Sequence, residues 1–270
     1  QTVGQLGAKQ LLSSFLSFSP ANLPHAFLFV GPGGVGKFNL AKEFAAKLAQ
    51  VWQAEPEQYV FDFAETGSLE ELRELIQLSS LTAVRGGKNI FLLRNFQLAS
   101  ASSLNSLLKT LEEPASTSMF LLISDSNGSL PTIMSRVIAV RCFPVAAESH
   151  STKLPPALAG AVTGFPQIAS MFENDPEFTA TMNQLLADLD NSANNHRSLV
   201  LISQLAELDT KQLRMLLQLW VNTIKIQLSK ATNPLPLIKQ LRAAQTAHDE
   251  LNHNFNTKLV LQELLLQTKV

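Results

Sequence analysis

Short apolar runs alternate with amphipathic stretches through the first half of the chain. Uninterrupted runs of this length are typical of strands buried on both faces of a parallel sheet. The stretches between them repeat large apolar residues at helical spacing, and Pro114 ends one of them. The pattern predicts an α/β fold with a parallel sheet, whose strands cover residues 26–30, 59–63, 88–93, 119–124 and 138–141.

The second half of the chain has a different pattern. After a polar, proline-bearing segment at 148–156, leucine-rich segments at helical spacing follow one another. An asparagine-rich stretch at 191–195 interrupts them. We therefore predict three domains: an α/β domain over 1–143, a small helical domain over 144–191 and a helical bundle over 192–270.

Composition excludes several classes of protein. The 270 residues are 46% hydrophobic, enough for a substantial core, and the net charge of −1 gives no global attraction to nucleic acid or anionic membranes. A single cysteine, Cys142, excludes an internal disulfide and a cysteine-based zinc cluster. No apolar run approaches the roughly 20 residues of a membrane-spanning helix. These features predict a cytoplasmic protein.

The segment HAFLFVGPGGVGK predicts a phosphate-binding loop between a strand and a helix. In such a loop, backbone N–H groups surround phosphates and the lysine reaches the terminal ones. The candidate phosphate-binding residues are Gly31, Gly33, Gly34, Gly36 and Lys37.

The ligands for magnesium are missing from this loop and from a second strand. The residue after the lysine supplies a Mg²⁺-binding hydroxyl in a hydrolytic loop, but here it is Phe38. A carboxylate is expected where strand 88–93 ends, but Arg94 and Asn95 stand there. Both substitutions affect the same ion, so we predict neither a metal site nor Mg²⁺-dependent hydrolysis by this chain.

Three further segments resemble one known family. SLNSLLKTLEEP at 103–114, LPTIMSRV at 130–137 and TKLVLQELLLQ at 257–267 are similar to segments of bacterial clamp-loader subunits of the AAA+ superfamily, part of DNA polymerase III. The resemblance implies an AAA+ P-loop module with a parallel sheet, a small helical lid and a C-terminal helical collar bundle that joins subunits.

The resemblance also gives Arg136 a role. In this family the arginine of the corresponding motif projects toward ATP held by the neighbouring subunit and acts as a finger in trans. On sequence grounds alone, Arg136 is interpreted as a solvated arginine that follows a turn.

The chain departs from the family in three places. Val137 replaces the cysteine that follows the arginine, Ile168 stands where a nucleotide-sensing arginine is usual, and the four-cysteine zinc module is missing. The departures imply a subunit with no zinc and a reduced response to ATP.

The implied function is that of a non-hydrolysing subunit that helps load the sliding clamp onto primed DNA. Its partners would be the gamma/tau and delta subunits in a hetero-pentamer, and it would require no cofactor. Two alternatives stay open: a P-loop ATPase active in its own right, and an inert switch that still binds ATP or ADP.

Other polar residues favour structural roles. His25, Glu112 and Glu113 lie at predicted element ends, where capping and packing are commoner than catalysis. Lys88, Arg94 and Lys109 could contact phosphates, but no aromatic and basic pattern indicates base recognition.

Overall fold

One parallel sheet organises the first part of the chain. The computed structural model describes residues 2, 4–64, 69–81, 88–125, 131–145, 154–191, 198–252 and 255–268. Among them five strands pair in the order β2-β3-β4-β1-β5, and every pairing is parallel. The strands are β1 (Ala26–Val30), β2 (Gln58–Asp62), β3 (Asn89–Arg94), β4 (Ser118–Ser124) and β5 (Ile138–Arg141).

The predicted α/β class is confirmed. Two strands have the predicted bounds, and the other three differ by one residue. Helix α1 (Leu6–Phe15) precedes the sheet, and the helices between the strands are α2 (Lys37–Trp52), α3 (Leu69–Ser79), α4 (Ala101–Glu112) and α5 (Pro131–Met134), with a 3₁₀ helix at Phe96–Leu98 after β3. The four-residue α5 was not predicted, because it is too short to show a helical period.

Aromatic side chains line the sheet in register. Tyr59 is paired with Phe91, and Phe91 with Phe120, in neighbouring strands. Their rings stack with centroids 5.0 Å and 5.3 Å apart. Phe91 and Phe120 are fully buried. Such pairs add about 0.5–1.5 kcal/mol each beyond the area they bury, so this row favours one register of the three strands.

The second part of the described chain is helical, as predicted. Its helices are α6 (Pro156–Ala161), α7 (Pro166–Asn174), α8 (Pro176–Asp190), α9 (Ser198–Ala206), α10 (Thr210–Leu228), α11 (Leu235–Asn252) and α12 (Thr257–Thr268). Helix α10 is central, since it contacts α6, α8 and α11. A capping box of Asp209 and Gln212 begins α10. Its Trp220 is fully buried.

Helix α6 lies where the sequence indicated the end of a linker. Pro156 occupies its first turn, a position that suits proline because the missing N–H has no helical partner there. Asn222 Nδ2 donates to the carbonyl oxygens of Ala161 at 2.7 Å and Thr163 at 3.2 Å, which ties α10 to the end of α6.

The contacts divide the chain into two compact units, Gln1–Val145 and Ala146–Val270. Helices on both sides of the predicted boundary at 191 belong to the second unit, where α8 contacts α9 and α10. Residues 192–197 lie outside the described residues. The further division of this unit into two domains stays a prediction. No described helix is long and apolar enough to span a membrane.

The junction of β1 with its neighbours leads to a first prediction. A Cβ at Gly31 would lie 2.0 Å from the carbonyl oxygen of Cys142, which is backbone and cannot rotate away. We expect Gly31→Ala to lower the free energy of unfolding of the α/β unit by about 1–3 kcal/mol or more, measured by chemical denaturation. Gly7→Ala in α1 of the same unit is the control, because nothing lies within 4 Å of its added Cβ. Equal stability of the two variants would contradict the prediction.

Candidate functional site

The loop between β1 and α2 has the geometry of a phosphate-binding loop. It lies at the carboxyl edge of the sheet, where ligands bind in open α/β folds. Gly34 and Gly36 have φ angles of 77° and 94°, a region that favours glycine. Val35 between them is fully buried and anchors the loop. Gly36 is the N-cap of α2, so the unpaired N–H groups of the first helical turn begin here.

Lys37 is engaged within its own chain. Its side chain is only 4% exposed. The ammonium donates to the carbonyl oxygens of Gly31 and Pro32, each at 2.6 Å, and to Oδ1 of Asp125 at 2.9 Å. Asp125 directly follows β4, and its backbone N–H donates to Oε1 of Gln97 at 3.0 Å. The lysine that would reach phosphate is therefore paired with a carboxylate.

The two residues that replace the magnesium ligands lie against each other. The guanidinium carbon of Arg94 is 4.6 Å from the centroid of the Phe38 ring. Arg94 Nη1 also lies 3.2 Å from Oδ2 of Asp62, the nearly buried last residue of β2. Mg²⁺ requires oxygen ligands, and a hydrocarbon ring and a guanidinium supply none. These two positions do not fit the ion.

Further donors hold the Asp62 carboxylate. Its Oδ1 accepts from Asn95 Nδ2 at 2.5 Å and from the backbone N–H of Ala64 at 2.9 Å. Sequence reasoning missed both Asp62 and Asp125, because it examined only the end of one strand for carboxylates. The available signal was that each of them ends or follows an apolar strand, as Arg94 does.

The amino-terminal segment packs on the loop. Gln5 Nε2 donates to the carbonyl oxygens of Val35 at 3.2 Å and Phe143 at 2.6 Å, and the Phe143 N–H donates back to Gln5 Oε1 at 3.0 Å. The backbone N–H of Thr2 donates to Glu43 of α2 at 3.1 Å. A Cβ at Gly36 would lie 3.2 Å from the Thr2 methyl group. The segment therefore covers one side of the loop.

Cys142 lies beside Gly31, at the start of the loop. Its backbone N–H donates to Val30 at 2.8 Å, and the residue is 1% exposed. Burial raises the pKa of the thiol to about 11, although the charge of Lys37 opposes the shift. Burial thus keeps the only thiol of the chain protonated.

The predicted finger, Arg136, follows α5. Its Nη1 donates to the Thr132 carbonyl at 2.6 Å and to Ser135 Oγ at 2.9 Å, and its Nη2 pairs with the carboxylate of Glu112 at the end of α4. The side chain is 30% exposed. Its buried Nε has no hydrogen-bond partner among the described residues. Leu130, the first residue of the motif, lies outside the described residues.

The remaining candidates have varied positions. His25 Nε2 is 3.0 Å from the carbonyl oxygen of Leu111, a contact within the fold. Lys88 is 4% exposed, and burial lowers its pKa below the ordinary value. Ile168 is buried in α7, whereas Lys109 of α4 is exposed. Of the basic residues considered for phosphate contacts, Lys109 is thus the most accessible.

Comparison with known proteins adds independent information. A profile of the family described as DNA polymerase III, delta subunit, matches residues 51–145. The DNA polymerase III subunit delta' of Pseudomonas aeruginosa is 33% identical over 148 residues, or 46% of this chain and 45% of that protein. The subunit tau/gamma of Haemophilus influenzae is 36% identical over 135 residues, or 43% of this chain and 20% of that protein. The chain thus spans less than half the length of either relative.

The chain also has a likeness to a solved structure. A variant of Thermotoga maritima RuvB aligns with a TM-score of 0.48 and 17% identity, over 78% of this chain and 71% of that chain. The strand order and the glycine-rich loop after β1 define the class of the first unit: a P-loop-like α/β module. About half of the chain is thus similar to subunits of bacterial DNA polymerase III, which agrees with the resemblance drawn from its motifs.

The contact between Phe38 and Arg94 can be measured. In a double-mutant cycle of Phe38→Ala and Arg94→Ala, we expect a coupling of about 0.5–1 kcal/mol in the unfolding of the α/β unit, typical of a cation over a partly exposed ring. The matched cycle with Lys42→Ala should give less, since the Lys42 ammonium lies 5.6 Å from the ring centroid. A coupling of zero for Arg94 would contradict this geometry.

The protection of Cys142 gives a third prediction. Because the thiolate is the reactive form, a pKa of about 11 leaves roughly one thiol in a thousand ionised at pH 8. We expect a disulfide reagent to modify the native chain at least about a hundredfold more slowly than the chain unfolded in denaturant. Equal rates in the two states would show that Cys142 is not protected.

Proposed function

We propose that this chain is a non-hydrolysing, delta-prime-type subunit of a bacterial clamp loader, which helps load the sliding clamp onto primed DNA. The observation that carries the proposal is the Arg94 guanidinium over the Phe38 ring, in place of two magnesium ligands. Phosphoryl transfer depends on a metal ion that neutralises charge on the phosphates. A chain that holds a fixed cation and a hydrocarbon ring at those positions is poorly suited to that chemistry.

The resemblance to delta-prime supports one choice within the family. The hydrolysing gamma/tau subunit is expected to keep a hydroxyl after the loop lysine and acidic residues after the second strand. Here those positions hold Phe38, Arg94 and Asn95. The chain retains the motif segments at 103–114 and 130–137, which the delta subunit lacks.

Arg136 would act on a neighbouring subunit. One arm of its planar fork, Nη2, now pairs with the Glu112 carboxylate, and the other arm, Nη1, donates to Thr132 and Ser135. Carboxylate and phosphate oxygens are recognised by the same fork geometry, so a phosphate of ATP on the adjacent subunit could take the place of Glu112. The partly exposed position of Arg136 is compatible with that exchange.

The helical unit would provide the contact with other subunits. Large apolar side chains on its surface are well exposed, among them Leu235, Phe255, Leu259 and Leu266, which are 60–70% exposed. Leu259 and Leu266 are one heptad apart on α12, as an interhelical seam requires. These residues are suited to a collar shared with gamma/tau and delta. DNA contacts would come mainly through the assembled complex.

The fourth prediction concerns Arg136. In a complex reconstituted with gamma/tau, delta, clamp and primed DNA, we expect Arg136→Ala to remove most of the clamp- and DNA-stimulated ATP turnover at that interface. An arginine supplied in trans is worth about 10³–10⁵ in other phosphoryl-transfer systems. Arg136→Lys should also fail, since lysine keeps the charge but loses the fork. Arg141→Ala is the control, because it removes an exposed arginine of the same unit.

The isolated chain tests the alternative function. If it were a P-loop ATPase in its own right, it would hydrolyse ATP with Mg²⁺ and without partners. We expect no turnover. Turnover by the isolated chain, together with an unaffected Arg136→Ala complex, would overturn the proposed function.

A further inference from the structure

The hydrogen bonds of Lys37 account for its whole ammonium group. An ammonium has three N–H donors, and three acceptors of the same chain surround this one: the carbonyl oxygens of Gly31 and Pro32, and Oδ1 of Asp125. The Lys37 side chain is only 4% exposed. No N–H of Lys37 is left to donate to a phosphate.

Asp125 is held in place on the other side of this contact. It follows β4, which pairs with both β1 and β3. Its backbone N–H donates to Gln97 in the 3₁₀ helix that follows β3. The carboxylate is therefore positioned from two strands, and 37% of its side chain is exposed at the loop.

We propose that Asp125 is an internal ligand of the phosphate-binding loop and excludes nucleotide from it. Its carboxylate occupies the place on Lys37 that a phosphate oxygen takes in a working loop. A triphosphate would have to displace the carboxylate from Lys37 and then lie beside its negative charge. The loop is thereby a structural latch that joins β1 and α2 to β4.

This inference adds to the proposed function, and the role of the latch within a clamp loader rests on that function. The latch implies a loop that binds no nucleotide, in contrast to a loop that binds nucleotide without hydrolysing it. The proposed role of Arg136 does not depend on which of these loops is present, because Arg136 would act on ATP bound by the neighbouring subunit.

Nucleotide binding tests the latch on the isolated full chain. We would titrate ATP by calorimetry, once with Mg²⁺ and once with EDTA, into the wild type and Asp125→Ala. The expected result is no binding by the wild type up to millimolar ATP and at least about tenfold tighter binding by Asp125→Ala. Adding Lys37→Ala should abolish the gain. Asp249→Ala, which removes an exposed carboxylate of the helical unit, should behave as the wild type.

Binding of ATP by the wild type as tightly as by Asp125→Ala would overturn the inference, because the ion pair would then be a contact that nucleotide displaces. That result would leave the role of Arg136 intact, whereas loss of the Arg136 effect would leave the latch intact. If Asp125→Ala does not fold, Asp125→Asn keeps the shape, removes the charge and takes its place in the titration.

Stability gives a second readout that needs no ligand. Lys37→Met should lower the denaturation midpoint of the wild type, because it leaves Asp125 without its cation. The same substitution should have a smaller effect in the Asp125→Ala background. Lys47→Met is the control on the same helix, since the Lys47 side chain is 46% exposed. Equal effects of Lys37→Met and Lys47→Met would show that Lys37 carries no structural role and would overturn the latch.

Discussion

The pairing of β1 between β4 and β5 determines where the chemistry of the α/β unit lies. In a parallel sheet all strands end at one edge, so residues that follow different strands meet there. Gly31 follows β1, Asp125 follows β4 and Cys142 follows β5. Asp62 and Arg94 end β2 and β3 at the same edge. Residues far apart in sequence therefore meet at one edge of the sheet.

Charge is balanced at that edge. Lys37 is matched by Asp125, and Arg94 by Asp62. A working phosphate loop leaves its lysine and the positive end of its helix to be neutralised by the ligand. Buried charges need a partner, and here the chain supplies both partners itself. The cations at both places, Lys37 and Arg94, are thus neutralised by carboxylates of the same chain.

Much of the fold could be predicted from the sequence because the relevant signals are local. Apolar runs gave the strands, and the glycine spacing from Gly31 to Lys37 gave the loop with its flanking elements. Helix α6 was missed because its only local signal, Pro156 at the first turn, was interpreted as part of a linker. The partners of Lys37, Arg94 and Arg136 were missed for another reason. Asp125, Asp62 and Glu112 are distant in sequence, and only the strand order brings them to their cations.

The closed loop has a consequence for how this chain would behave during an ATP cycle. A ligand shifts a conformational equilibrium only through a difference in its affinity for the two states, and a ligand that is not bound shifts nothing. In the proposed latch Lys37 stays with Asp125, and the conformation of this unit would not depend on the concentrations of ATP and ADP. Neighbours that bind and release nucleotide would change shape against a protomer that does not. In the proposed complex, such a protomer would keep one shape while its neighbours change, and the ring would be asymmetric before any nucleotide binds.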